Sequence, residues 1–307
     1  MTHAPFPLGS DRPAAVVPPA NPTEHTGTLG EPADVRRMIE SHGLSHTGRV
    51  RSVNEDHFVT ATLQRSVHLR QTNLDDVHLF DRLSGPRAYL FAVADGVGGS
   101  SGGRVASAIA VATIVEYLGE AVGWYNGYTS DHARDFPHHL DTAVHRAHDH
   151  LVETFRLQNA GGPATTLTLA MVVWPCAYVV HVGDSRAYHL RGETLRRLTR
   201  DQTVGDAMVQ YGMPKEQAEQ AGLYNMLASA IGARDMTPAV DFISLERGDV
   251  LLLCTDGLTD MLSNKIIESY IVPQLKPAAA VQSLFSAAMD AGGRDNITIA
   301  IVDIERA

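Results

Sequence analysis

Four acidic residues stand where an apolar run begins or ends: Asp56 in Asn54-Glu55-Asp56, Asp95 in Ala94-Asp95-Gly96, Asp256 in Thr255-Asp256-Gly257, and Asp295 in Arg294-Asp295-Asn296. A carboxylate at the edge of a core is costly unless it is paired or bound to a cation. Several converging there would build a hard-metal site from oxygen ligands, suited to Mg2+ or Mn2+. Taken singly, Asp-Gly is also a common hairpin turn; the four together, with no basic excess beside them, favour metal. Gly183-Asp184-Ser185-Arg186 joins two predicted strands and reads equally as a turn or as the source of a further ligand, Asp184. Ser185 has no adjacent histidine to activate it, so a serine hydrolase is not expected.

The glycine cluster from Gly96 to Gly103 fails as a nucleotide loop. A dinucleotide fingerprint starting at Gly96 needs glycine where Ser101 stands, and no Gly-Lys-Ser/Thr occurs anywhere in the chain. Glycine also permits close backbone approach, here bringing the Gly96 carbonyl to an ion. Arg51, five residues before Asp56, is placed to grip an oxyanion with its planar fork. His145 and His148 are spaced to share a helix face, but a solvated polar face explains the histidines between His132 and His150 better than zinc does.

The elements that must position these residues are short strands alternating with helices. Strands are predicted at Asp56 to Thr62, Ala88 to Ala94, Thr166 to Trp174, Ala177 to Val182, Arg186 to Leu190, Leu195 to Leu198, Val250 to Thr255 and Ile297 to Ile304. Helices are predicted at Arg104 to Ala121, His138 to Leu157, Asn264 to Tyr270 and Pro277 to Ala288. Strands joined by turns as tight as the one at Pro175 must be antiparallel, because a parallel pair needs a crossover of about a dozen residues. Helices arriving in pairs between them predict an α+β architecture, antiparallel sheets packed together with helices outside.

At 307 residues, with 44% apolar and 20% charged, the chain has the composition of a globular protein. Met1 to Pro32 holds seven of the fifteen prolines and no apolar periodicity, so residues 1–40 are expected to be a disordered tail and 41–307 the folded domain. Lys and Arg number 25 against 35 Asp and Glu, a net charge of −10, which argues against nucleic acid or an anionic membrane surface as partner. Cys176 and Cys254 lie in apolar runs and suit a reducing compartment. With no apolar run of about 18 residues and no charged start followed by a hydrophobic stretch, a cytoplasmic location is expected.

Gly48-Arg49-Val50-Arg51-Ser52-Val53-Asn54-Glu55-Asp56, Val93-Ala94-Asp95-Gly96-Val97-Gly98-Gly99, Gly183-Asp184-Ser185-Arg186, Thr255-Asp256-Gly257 and Asp295-Asn296 together resemble the metal-dependent serine/threonine protein phosphatases of the PP2C type, the bacterial members most closely. The resemblance spans about Ser41 to Asp303. It implies a four-layer αββα sandwich, two antiparallel sheets flanked by helix pairs. It also implies that Asp56, Asp95, the Gly96 carbonyl, Asp256 and Asp295 hold two Mg2+ or Mn2+ ions, with Glu55 acting through a metal-bound water, Asp184 helping to hold a third ion, Arg51 gripping the substrate phosphate and Asn296 in support. The reaction so implied is attack of a metal-bridging hydroxide on phosphoserine or phosphothreonine of proteins, without a phosphoenzyme. The substrates would be products of a serine/threonine kinase.

The sequence departs from the family pattern at three places. Val97 replaces a histidine thought to protonate the leaving group in animal members, leaving water to serve. Ser229, within a variable flap at 199–232, stands where bacterial relatives often carry arginine. The segment from Leu63 to Arg87 is long and carries His68, Arg70, Asp75, Asp76 and Asp81, as an added loop over the site would. A catalytically silent phosphoprotein-binding module is the rival reading, and the intact carboxylate set argues against it. A phosphatase serving an anti-sigma-factor antagonist is a variant within the enzyme class.

Overall fold

The structure is a computed structural model and describes residues 39–65, 85–98, 102–122, 132–156, 162–271 and 275–304. The strands are β1 (Ile39–His46), β2 (His57–Arg65), β3 (Gly85–Ala94), β4 (Gly96–Val97), β5 (Ala164–Thr165), β6 (Leu167–Val173), β7 (Cys176–Val182), β8 (Arg186–Arg191), β9 (Thr194–Arg197), β10 (Ala239–Ser244), β11 (Val250–Cys254) and β12 (Ile297–Ile304). The helices are α1 (Gly102–Val122), α2 (His132–Phe155), α3 (Val204–Gln210), α4 (Lys215–Gln220), α5 (Asp256–Thr259), α6 (Asn264–Tyr270) and α7 (Pro277–Asp290).

Ten of these strands form two five-stranded sheets, in the orders β1-β12-β11-β8-β9 and β10-β7-β6-β3-β2. Every pairing is antiparallel. Because successive strand residues face opposite ways, each sheet supplies two apolar faces. Leu251 and Leu253 join Phe91, Val93 and Val179 in a core between the sheets. Leu252 and Cys254 turn outward to Ile267, Val281 and Leu284 of α6 and α7. Leu90 and Ala92 turn to Leu118 of α1 and Leu140 of α2. Three cores between four layers give the expected αββα sandwich. They also explain why β6 and β7 read as unbroken apolar runs, for both are buried along their whole length.

Several boundaries differ from the sequence reading. β1, for which no strand was predicted, begins at Ile39, two residues inside the expected tail, because it pairs with β12 from Ile39↔Ile304 onward. α2 starts at His132 and runs through Pro137; the buried Phe136, its ring 5.3 Å from that of Tyr178, anchors that early segment in the core. β10 was not expected, since adjacent Phe242 and Ile243 break a two-residue alternation and it lies at a sheet edge. Residues 1–38 and 66–84, which hold most of the expected tail and of the expected added loop, lie outside the described residues. Among the described residues no helix is long and apolar enough to cross a membrane.

Candidate metal-dependent active site

Antiparallel register gathers the acidic residues at one end of the sandwich. His57 pairs with Ala94, so Asp56 before β2 and Asp95 after β3 are neighbours. Cys254 pairs with both Ile299 and Arg186, which brings Asp256 at the start of α5 close to Asp295 before β12 and to Asp184 in the β7–β8 turn. The expected residues Arg51, Glu55, Asp95, Gly96, Asp184, Asp256, Asp295 and Asn296 all line one cleft of about 700 Å³. Asp56 lies beneath, 4% exposed.

Each of these side chains is held by a partner elsewhere in the fold. Asp56 Oδ2 accepts from the hydroxyls of Thr255 at 2.8 Å and Thr298 at 2.7 Å, while its Oδ1 is buried without a protein partner. Asn296 Oδ1 accepts the Glu55 N–H at 2.8 Å, and its Nδ2 donates to the carbonyls of Thr47 and Val53. That clamp fixes the Glu55 loop against the Asp295 loop, with Glu55 Oε1 buried and unpartnered. The backbone of Asp95 is held by Thr166, and its carbonyl also accepts the Thr165 hydroxyl at 2.8 Å. A Cβ at Gly96 would fall 2.1 Å from the Gly103 carbonyl oxygen, and one at Gly103 would fall 2.9 Å from Glu55 Oε1. Close packing, rather than a nucleotide, accounts for these glycines.

The electrostatics are those of anions crowded together. Burial pushes the Asp56 carboxyl up to about 6. Asp184 is also raised to about 6, by burial and then by Asp201. Asp95 and Asp256 lie well above the usual carboxylate range, by burial first and then by neighbouring carboxylates, Asp256 for the one and Asp184 for the other. Arg51 is the nearest compensation: its Nη2 donates to Asp295 Oδ2 at 2.6 Å, which raises its own pKa. Orphaned buried oxygens on Glu55 and Asp56, inside a cluster that repels itself, fit divalent cations. Among the described residues no three acidic, histidine or cysteine side chains are gathered tightly enough to hold an ion by themselves. Carbonyl oxygens such as that of Gly96, and water, must complete any shell, as is usual for Mg2+.

Sequence reasoning missed four contributors. Asp260 follows Asp256 by one helical turn and raises its carboxyl and that of Asp184; the i, i+4 spacing was its only signal. Thr255 and Thr298 gave none beyond their place at strand ends. Gln202 is the fourth: its Oε1 accepts the Gly183 N–H, its Nε2 donates to Thr237 O, and its own carbonyl accepts the Ala228 N–H. Val97 lines the cleft, 43% exposed. Ser229 is buried and accepts from the Thr237 N–H. The α2 histidines are dispersed: His145 beside Asp141, His150 on the Thr113 hydroxyl, and His148 accepting the Gly232 N–H.

The chain is similar to known proteins in sequence and in fold. The family model for protein phosphatase 2C matches residues 64–291. Protein phosphatase PhpP of Streptococcus pneumoniae is 32% identical over 241 residues, which cover 76% of this chain and 93% of PhpP. The crystal structure of the Mycobacterium tuberculosis serine/threonine phosphatase PstP/Ppp is 27% identical, covers 87% of this chain and 99% of its own, and superposes with a TM-score of 0.68. The catalytic domain of PstP in complex with two manganese ions gives 26%, with 87% of this chain and 99% of that one covered, and a TM-score of 0.66. Family model, relatives and fold agree, and this chain belongs to the protein phosphatase 2C family, the metal-dependent serine/threonine protein phosphatases, in its bacterial form.

Proposed function

We propose that the acidic cleft is the catalytic centre at which this protein removes phosphate from phosphoserine and phosphothreonine of other proteins, reversing a serine/threonine kinase in the cytoplasm. The observation that carries this reading is the convergence of Asp56, Asp95, Asp256 and Asp295 from four separate strand ends, with buried oxygens left unpartnered. In this assignment Asp56, Asp95, the Gly96 carbonyl, Asp256 and Asp295 hold two divalent ions, Mg2+ or Mn2+, and Asp184 with Asp260 holds a third. Divalent ions there supply a water acidic enough to attack phosphorus near neutral pH and positive charge beside the phosphoryl oxygens.

The chain's own residues do the rest. Arg51 binds the phosphate and absorbs charge as the phosphorus–oxygen bond breaks. Glu55, fixed through Asn296, accepts a hydrogen bond from attacking water and orients it. Thr255 and Thr298 keep Asp56 in one rotamer, so it meets its ligand without reorganisation. Val97 has no proton to give, so the departing serine or threonine oxygen takes its proton from water. The domain from Ile39 onward carries this activity. Asp256→Asn combined with Asp295→Asn tests the assignment. Loss of phosphate release from a phosphothreonine peptide, with folding retained by circular dichroism, is expected. Full activity in that double variant would refute it.

A further inference from the structure

The residues lining the cleft include two cations, Arg51 and Arg234. They differ in what they face. Arg51 engages Asp295 at 2.6 Å. Arg234 is exposed, and no ion pair, hydrogen bond or ring contact holds it among the described residues. Its backbone is nevertheless well fixed. Ile231 exchanges two backbone bonds with Thr165, at 2.9 and 3.0 Å, and the Ala230 N–H donates to Asp235 O at 3.1 Å, closing the turn that carries Arg234. Thr165 donates its hydroxyl to the Asp95 carbonyl, so the turn is tied through one residue to the floor of the site. A long guanidinium on a fixed base at the edge of a phosphate-binding cleft suits a second anion on the substrate. Asp235, also on the cleft wall, forms no ion pair with Arg234 and stands as a repulsive counterpart.

We propose that Arg234 is a specificity-determining residue that receives a second anionic group of the phosphoprotein, a carboxylate or a further phosphate close in sequence to the residue being dephosphorylated. The proposal rests on the phosphatase reading above.

The test uses the full chain with Mn2+ and three phosphothreonine peptides whose flanking positions are neutral, carry glutamate, or carry a second phosphothreonine. Para-nitrophenyl phosphate, which has no flanking group, is the control. For the better anion-flanked peptide, kcat/KM is expected to exceed the neutral one by about two- to five-fold, the worth of an exposed ion pair. That gain should shrink as salt is raised. Which anionic peptide gains identifies the source. R234A should turn over all three equally, R234K should keep most of the preference, and D235N should enlarge it, with para-nitrophenyl phosphate hydrolysis the same in every variant. Equal turnover of the three peptides by the unsubstituted protein, or a preference that survives R234A, would overturn the proposal. If folded protein hydrolyses none of the four substrates, the phosphatase reading fails and the proposal falls with it, a result distinct from hydrolysis without discrimination.

Discussion

Arg51 and Asp295 form an ion pair across the mouth of the acidic cleft, Nη2 to Oδ2 at 2.6 Å. The Arg51 side chain is 56% exposed, and exposed pairs are worth about 0–1 kcal/mol, so the guanidinium can turn to a phosphate at little cost. R51A is therefore expected to lower kcat/KM by about 100-fold, the scale of losing one donor to a developing anion. R51K, which keeps charge but not the planar fork, should recover only part of it. Steady-state kinetics on a phosphothreonine peptide decides this; an R51A enzyme within two-fold of the parent would remove Arg51 from the mechanism.

The hydroxyls on Asp56 give a second prediction. T298V removes one of two donors to Oδ2 while keeping side-chain volume. Stability should fall by about 1 kcal/mol and kcat by about ten-fold, as for residues that orient a metal ligand. Unchanged kcat together with the stability loss would make Thr298 a purely structural residue.

Protons and divalent ions compete for the same oxygens. Asp56 and Asp184 are raised to about 6, and Asp95 and Asp256 are also raised, well above the usual carboxylate range. Above pH 4 the folded metal-free chain thus holds more protons than the unfolded one, and its stability is lost as pH rises through these values. Mn2+ bound to the folded state would restore that loss. Thermal denaturation should show a larger Mn2+-induced rise in Tm at about pH 7.5 than at about pH 5. A rise that is equal or larger at the lower pH would contradict the assignment of these carboxylates as ligands.

Gln202 links the Asp184 turn to both ends of the segment walling the cleft, through Gly183, Ala228 and Thr237. Q202A should cost about 1–2 kcal/mol in urea unfolding, for two lost hydrogen bonds. It should also raise KM for phosphopeptides more than for para-nitrophenyl phosphate, which does not reach that wall. An equal rise for both substrates would place the effect in the metal site alone.

The sandwich was legible because its strands are long and apolar and its turns short. The acidic positions were legible because each interrupts an apolar run. What escaped lacked a periodic signal. β10 is an edge strand without strict two-residue alternation, and α3 and α4 lie in a flap whose Gly and polar residues mask helical spacing. Thr298 and Gln202 act through partners up to 242 residues away, a relation that only the register creates, whereas Asp260 had its i, i+4 spacing from Asp256 as a signal. Asn296, by contrast, was visible beside Asp295, and its clamp on the Glu55 loop is what register adds.

The central claim is that the cleft is a metal-dependent phosphatase centre. Its most direct measurement is phosphate release from a phosphothreonine peptide by the purified protein, with Mn2+ present and again after chelation by EDTA. Turnover with Mn2+, its loss on chelation and its return on adding Mn2+ back are predicted. Turnover undiminished by chelation, or none in Mn2+ or Mg2+ from protein shown to be folded, would contradict the account.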